Sequence, residues 1–144
     1  MLTVQQLLAG KKNNSIYAIR PDQMVIEALE MMAQMNIGAV LVMDGSQLVG
    51  IFSERDYARK GILQGRKAKS TPVTDVMTPQ VITVSRTENI EDCMRIMSEK
   101  HFRHLPVVEN EAVLGILSVG DLVTATIREQ QNRIASLEQY IMAG

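Results

Sequence analysis

The sequence predicts an α+β fold in which one β-α-β-β-α unit is used twice. Residues 16–57 align with residues 81–122 at a constant offset of 65 without a gap. In each copy the apolar pattern changes from short β-branched runs to three- and four-residue spacing and back again, the mark of strands flanking an amphipathic helix. Both copies then close with the same Gly-Ile-x-Ser-x-x-Asp string, at Gly50 to Asp56 and Gly115 to Asp121. Self-similarity held in phase over 42 residues is the signature of a duplicated structural unit.

The elements follow in order. Val4-Gln5-Gln6-Leu7-Leu8 precedes the first copy and is echoed by Val73-Thr74-Asp75-Val76-Met77 before the second, while the link at Ala9 to Ser15 is four residues longer than its counterpart. Ile16 to Ile19 and Val81 to Val84 read as the first strands. Asp22 and Thr87 stand at the same repeat position and are expected to cap the helices that follow. Val25, Ala28, Leu29, Met32 and Met35 form one apolar stripe, and Ile90, Cys93, Met94 and Met97 form the other, with the methionines filling core space. A hairpin comes next: Gly38 to Met43 and Leu48 to Phe52 around Asp44-Gly45, then Leu105 to Val108 and Val113 to Leu117 around Glu109-Asn110-Glu111. A unit of about 55 residues buries too little surface to be stable alone, so the two copies are expected to pack sheet to sheet about a pseudo-two-fold axis and share a core. The expected division is residues 1–68 for the first motif with its connecting loop, 69–127 for the second, and 128–144 for a C-terminal helical extension.

Composition narrows the function. The longest apolar run, Ile37 to Met43, has seven residues including Gly38, far short of the roughly 20 a membrane helix needs. No basic segment precedes an apolar one at the N-terminus, so no secretory signal is expected. The single cysteine, Cys93, cannot form an internal disulfide and suits a reducing, cytoplasmic setting. A net charge of −1 argues against a general nucleic-acid binder, although residues 1–72 carry +3 and residues 73–144 carry −4. The positive excess lies in Arg55, Arg59, Lys60, Arg66, Lys67 and Lys69, readable as a solvated face or as a phosphate-facing cluster.

Ser53-x-x-Asp56 and Ser118-x-x-Asp121 are capping boxes by pattern. Their recurrence at a strand-to-helix junction adds a second role, because free backbone N–H groups and a positive helix terminus suit a phosphate. A carboxylate one turn into the helix can also accept both hydroxyls of a ribose. An enzyme is not expected: there is no Gly-x-Gly-x-x-Gly, Walker A loop or Gly-x-Ser-x-Gly elbow. His101 and His104 lack a third ligand, so no metal site is expected.

The duplicated unit, the Val73-Thr74-Asp75-Val76-Met77-Thr78-Pro79 entry, the Arg103-His104-Leu105-Pro106-Val107 strand and the two Gly-h-h-Ser-x-x-Asp elements together resemble a tandem pair of cystathionine-β-synthase (CBS) domains. The resemblance covers about residues 1–127, and Glu54 to Lys60 further resembles bacterial stand-alone pairs. It implies a regulatory module that binds AMP, ADP or ATP, and in some cases NAD or S-adenosylmethionine, in two clefts between the motifs. On that basis Asp56, Asp121, Ser53 and Ser118 match ribose-binding positions, and Ile19, Thr83 and Val84 match the adenine pocket. Arg103 and His104 match phosphate positions, with Arg55, Arg59 and Lys60 as further phosphate candidates. Gly38-Ala39 replaces Arg103-His104 in the first copy, so the two sites are expected to differ, which keeps NAD among the candidate ligands. The resemblance also implies a homodimer. Ile127, Ile134 and Ile141, seven residues apart with Val123 and Leu137 nearby, fit either a helix packed on its own module or a dimer seam. A ligand-independent scaffold is the alternative function.

Overall fold

The computed structural model describes residues 2–11 and 15–143. The elements run α1 (Val4–Gly10), β1 (Ala18–Ile19), α2 (Val25–Met35), β2 (Ala39–Asp44), β3 (Gln47–Ser53), α3 (Glu54–Asp56), α4 (Ile90–Lys100), β4 (His104–Glu109), β5 (Ala112–Ser118) and α5 (Val119–Ala143). The expected α+β architecture is present, with one three-stranded sheet ordered β1-β2-β3 and one two-stranded sheet, β4-β5. The chain divides into two compact units, one of residues 15–82 with 110–114 and the other of residues 1–14, 83–109 and 115–144.

In the unit of residues 15–82, α2 lays Val25, Ala28 and Met32 on Val40 and Val42 of β2 and on Phe52 of β3. Ile19, Val73 and Val76 complete that core. β1 pairs parallel with β2, and β2 pairs antiparallel with β3 through a two-residue loop at Gly45-Ser46, where Gly45 supplies the positive φ of 63°. In the other unit Val84, Ile90, Cys93, Met97, Leu105, Val107, Leu117 and Leu122 are buried. The β4-β5 hairpin turns at Asn110-Glu111, both at positive φ (49° and 67°), as a type I′ turn requires.

Two local expectations need correction. The first strands are shorter than their apolar runs: β1 keeps only Ala18–Ile19, and Val81 to Val84 contributes a single parallel bridge from Val84 to Val107. Asp22 and Thr87 are not the helix caps. Asn89 caps α4 by accepting from the Asp92 N–H at 2.9 Å, and at α2 the Glu27 carboxylate accepts the Met24 N–H at 2.7 Å. Asp22 instead accepts from Arg20, and Thr87 shares a hydrogen bond with Ser85, so both belong to the turn ahead of the helix. Both helices stop at repeat-equivalent residues in the left-handed region, Asn36 (φ 54°) and His101 (φ 59°).

The compact units cut the chain differently from the repeat. The segment before the first copy packs with the second copy, where Val4 N–H donates to the Glu88 carbonyl and Ile90 N–H donates to the Leu2 carbonyl. The segment before the second copy packs with the first through the equivalent bonds, Val73 N–H to the Gln23 carbonyl and Val25 N–H to the Thr71 carbonyl. This exchange explains the shared glycine at Gly50 and Gly115. A Cβ at Gly50 would lie 2.5 Å from the Met77 sulfur and 3.1 Å from the Thr78 carbonyl oxygen, and one at Gly115 would lie 3.1 Å from Leu8. Leu8 and Met77 are themselves equivalent positions of the two prefixes. Gly50→Val is therefore expected to cost about 2–3 kcal/mol by overpacking. Its denaturant midpoint should fall at unchanged m-value, with Met77→Ala in the same chain restoring part of the loss.

Cys93 has no exposed surface, and burial, with Glu88 and Asp92 nearby, pushes its thiol up to about 11. The protonated thiol suits its place on the apolar face of α4, as the sequence pattern indicates. Because the folded value lies above the unfolded one of about 9, its contribution to stability is complete below pH 9 and lost as pH rises toward 11. The stability difference between wild type and Cys93→Ala should hold constant from about pH 7 to 8.5 and shift against wild type by up to about 2 kcal/mol above that.

Candidate functional site

Both Ser-x-x-Asp strings fold as reciprocal capping boxes at the start of a helix. In one unit Asp56 N–H donates to Ser53 Oγ at 3.2 Å and Ser53 N–H donates to Asp56 Oδ2 at 3.0 Å. In the other, Asp121 N–H donates to Ser118 Oγ at 3.1 Å and Ser118 N–H to Asp121 Oδ2 at 2.9 Å. The cap holds each carboxylate in one orientation. It leaves the second oxygen for other work.

That second oxygen differs between the copies. Asp56 Oδ1 accepts from the Thr78 hydroxyl at 3.2 Å and meets Lys60 Nζ at 3.4 Å, while its Oδ2 also takes the Ser53 hydroxyl at 3.1 Å. At Asp121 the ammonium of Lys11 lies 3.0 Å from Oδ2 and donates to the Ile116 carbonyl at 2.9 Å. Oδ1 of Asp121 has no hydrogen-bond partner among the described residues. A cavity of about 360 Å³ opens beside this carboxylate, lined by Lys11, Asp121, Thr124, Arg128 and Asn132 with Leu2 and Leu7. That volume lies in the range of small-molecule sites; of the residues expected from the sequence only Asp121 lines it, and Ser118, Thr83, Val84, Arg103 and His104 do not.

The units also sort the candidate residues into two sets. Thr83, Val84, Arg103, His104, Ser118 and Asp121 fall in one unit, and Ile19, Ser53, Arg55, Asp56, Arg59 and Lys60 fall in the other. Val119 N–H donates to the Arg103 carbonyl at 3.0 Å, which ties Arg103 to the first turn of α5, and its side chain is exposed. The equivalent bond in the other unit runs from Glu54 N–H to the Gly38 carbonyl at 3.1 Å. The same backbone contact thus presents a guanidinium in one copy and no side chain in the other. Ile19 and Val84 are buried, with both Val84 backbone groups bonded to β4, whereas Thr83 is exposed.

After Asp56 the chain stays helical but leaves the α form. Tyr57–Gly61 forms a π turn, its Lys60 carbonyl accepting from Arg66 at 2.6 Å, and Ile62–Gln64 a 3₁₀ turn. A Cβ at Gly61 would meet the Tyr57 ring at 2.9 Å, so glycine lets that ring lie on the turn. Arg59 is exposed on this turn, and Arg55 is exposed just ahead of it. Sequence reasoning missed Lys11, because its partner is 110 positions away and it sits in the part of the link that the repeat does not share. Lys60 was a phosphate candidate, and its i,i+4 spacing from Asp56 carried the signal for the ion pair. Within the link, residues 12–14 lie outside the described residues. Among the described residues no group of three or more His, Cys, Asp or Glu side chains is gathered as a metal site, and no helix is long and apolar enough to cross a membrane.

The model of the CBS domain family matches residues 12–61 and 73–128. The mitochondrial CBS domain-containing protein CBSX3 of Arabidopsis thaliana is 41% identical over 128 residues, covering 85% of this chain, and the chain spans 62% of that relative's length. A solved CBS-domain protein from Burkholderia ambifaria superposes with a TM-score of 0.86 at 42% identity, covering 89% of this chain and 96% of its own. CBSX2, solved in complex with AMP, superposes with a TM-score of 0.73 at 28% identity, over 90% of this chain and 99% of that one.

Proposed function

The chain belongs to the CBS-domain family, and from that premise we propose that it is a regulatory, non-catalytic module that binds an adenine nucleotide. The ligand is AMP, ADP or ATP, with NAD as the dinucleotide alternative, and the principal site is the one at Asp121. The observation that carries this reading is the asymmetry of the two aspartates. Among the described residues Asp121 keeps an oxygen open beside a cavity, while both oxygens of Asp56 are engaged by Ser53, Thr78 and Lys60. A ribose hydroxyl can donate to Asp121 Oδ1 without displacing any of the described residues. At Asp56 it must first compete with Thr78 and Lys60.

Ser118 holds the Asp121 carboxylate in place, Thr83 and Val84 serve the adenine, and Arg103, His104 and Lys11 serve the phosphate. An exposed guanidinium tied to the first turn of α5 is suited to gripping phosphate oxygens bidentately. Ile19, Ser53, Asp56, Arg55, Arg59 and Lys60 form a second, weaker site. The AMP complex of CBSX2 supports the choice of ligand class. In this reading the protein acts as a homodimer in the cytoplasm, and nucleotide occupancy is passed to another protein through conformation or assembly.

Calorimetric titration of nucleotide-free protein with AMP, ATP, NAD and S-adenosylmethionine tests the proposal. At least one adenine nucleotide should bind in the micromolar range. Silence from all four, in folded protein, would leave the ligand-independent scaffold as the better account. Retained nucleotide should also raise absorbance at 260 nm, against the low background of a chain with no Trp and three Tyr.

A further inference from the structure

We propose that α5 pairs with α5 of a second copy of this chain as a parallel, two-stranded coiled coil running from Val123 to Ile141; this rests on the homodimer reading above and deepens it. The helix runs unbroken for 25 residues, Val119–Ala143. The side turned to its own unit carries buried Leu122 and half-buried Thr126, whose hydroxyl bonds Met94 at 3.5 Å. A different face carries Val123, Ile127, Ile134, Leu137 and Ile141, and it stays open, with Ile127 50%, Ile134 55%, Leu137 61% and Ile141 73% exposed. An apolar row of this length left in water marks an interaction surface.

The pattern along the row selects its occupant. With Ile127, Ile134 and Ile141 at heptad position a, Val123, Gln130 and Leu137 fall at d. β-branched residues at every a position with Leu137 at d favour two parallel strands. Charge then chooses the orientation. Arg133 stands at g and Glu138 at e of the next heptad, so parallel in-register helices set each Arg133 against Glu138 of the other copy. Antiparallel helices set g against g and e against e. The g positions Val119, Thr126, Arg133 and Tyr140 include no acid, and the e positions Thr124, Gln131 and Glu138 include no base. Antiparallel pairing therefore gains no ion pair. Within the chain Arg133 pairs with Glu129 at 3.1 Å, with the arginine side chain 63% exposed, a surface contact that is easily exchanged.

The test is made on the full chain. Sedimentation at tens of micromolar should show a dimer, and Ile134→Glu with Leu137→Glu should give a folded monomer, since both positions are exposed. Ile134→Cys should form an intermolecular disulfide on mild oxidation while wild type, whose Cys93 is buried, does not. Arg133→Glu should weaken the dimer at least tenfold, and adding Glu138→Arg should restore it. A dimer that survives Ile134→Glu/Leu137→Glu overturns the proposal and leaves the homodimer reading standing on another surface. A dimer lost in that variant but never cross-linked by Ile134→Cys overturns the parallel arrangement. A wild-type monomer at these concentrations overturns both.

Discussion

An Asp121→Ala protein is expected to bind its preferred adenine nucleotide about 10- to 100-fold more weakly than wild type, the range for losing hydrogen bonds to a charged acceptor. Asp56→Ala is expected to have the smaller effect, because the Asp56 carboxylate is already committed within its own unit. Fold loss can be separated from ligand loss. Removing Asp121 also removes one arm of the capping box, worth about 1 kcal/mol, so melting should show a small loss of stability with α5 intact. Asp121→Asn preserves an acceptor for Ser118 N–H and should bind with intermediate affinity. Titration calorimetry beside far-UV circular dichroism reads both quantities. Equal affinities for wild type and Asp121→Ala would show that the ribose is not held there, whichever nucleotide binds.

Phe52→Ala should be the most damaging single truncation in the core. Phe52 is fully buried in β3 among Val25, Ala28, Met32, Val40 and Val42. Truncating a buried phenylalanine costs about 3–5 kcal/mol in lost transfer energy and residual cavity, against a total stability of about 5–15 kcal/mol for a typical domain. Urea denaturation should show a midpoint lowered at nearly constant m-value. A loss below about 1 kcal/mol would mean that the site collapses around the smaller side chain.

Much of this was legible in the residues. The offset of 65 aligns Val42 with Val107 and Ile19 with Val84, and the structure bridges Val84 to Val107 as it pairs Ile19 with Val42. The Ser-x-x-Asp capping geometry followed from local pattern, since its bonds span three residues. Where the sequence reading failed, the competing terms were also local. Asp22 and Thr87 are good caps by residue type, yet turn hydrogen bonds claim them and the helices begin later. Lys11 at Asp121 was beyond reach, because nothing in a non-repeated link announces a contact 110 residues away.

The repeat, the two aspartates and the substitution of Gly38 for Arg103 are properties of the sequence alone. Which prefix packs on which copy was decided by the tertiary structure. The two copies offer equivalent partners: Val4 bonds at Glu88 as Val73 bonds at Gln23, and Leu8 covers Gly115 as Met77 covers Gly50. Each prefix therefore finds the same hydrogen bonds and the same glycine whether it folds onto its own copy or onto the other. Local physics is nearly degenerate between those arrangements, and the three-dimensional course of the chain selects the exchange. That selection carries Lys11 to Asp121, and with it the difference between the two sites.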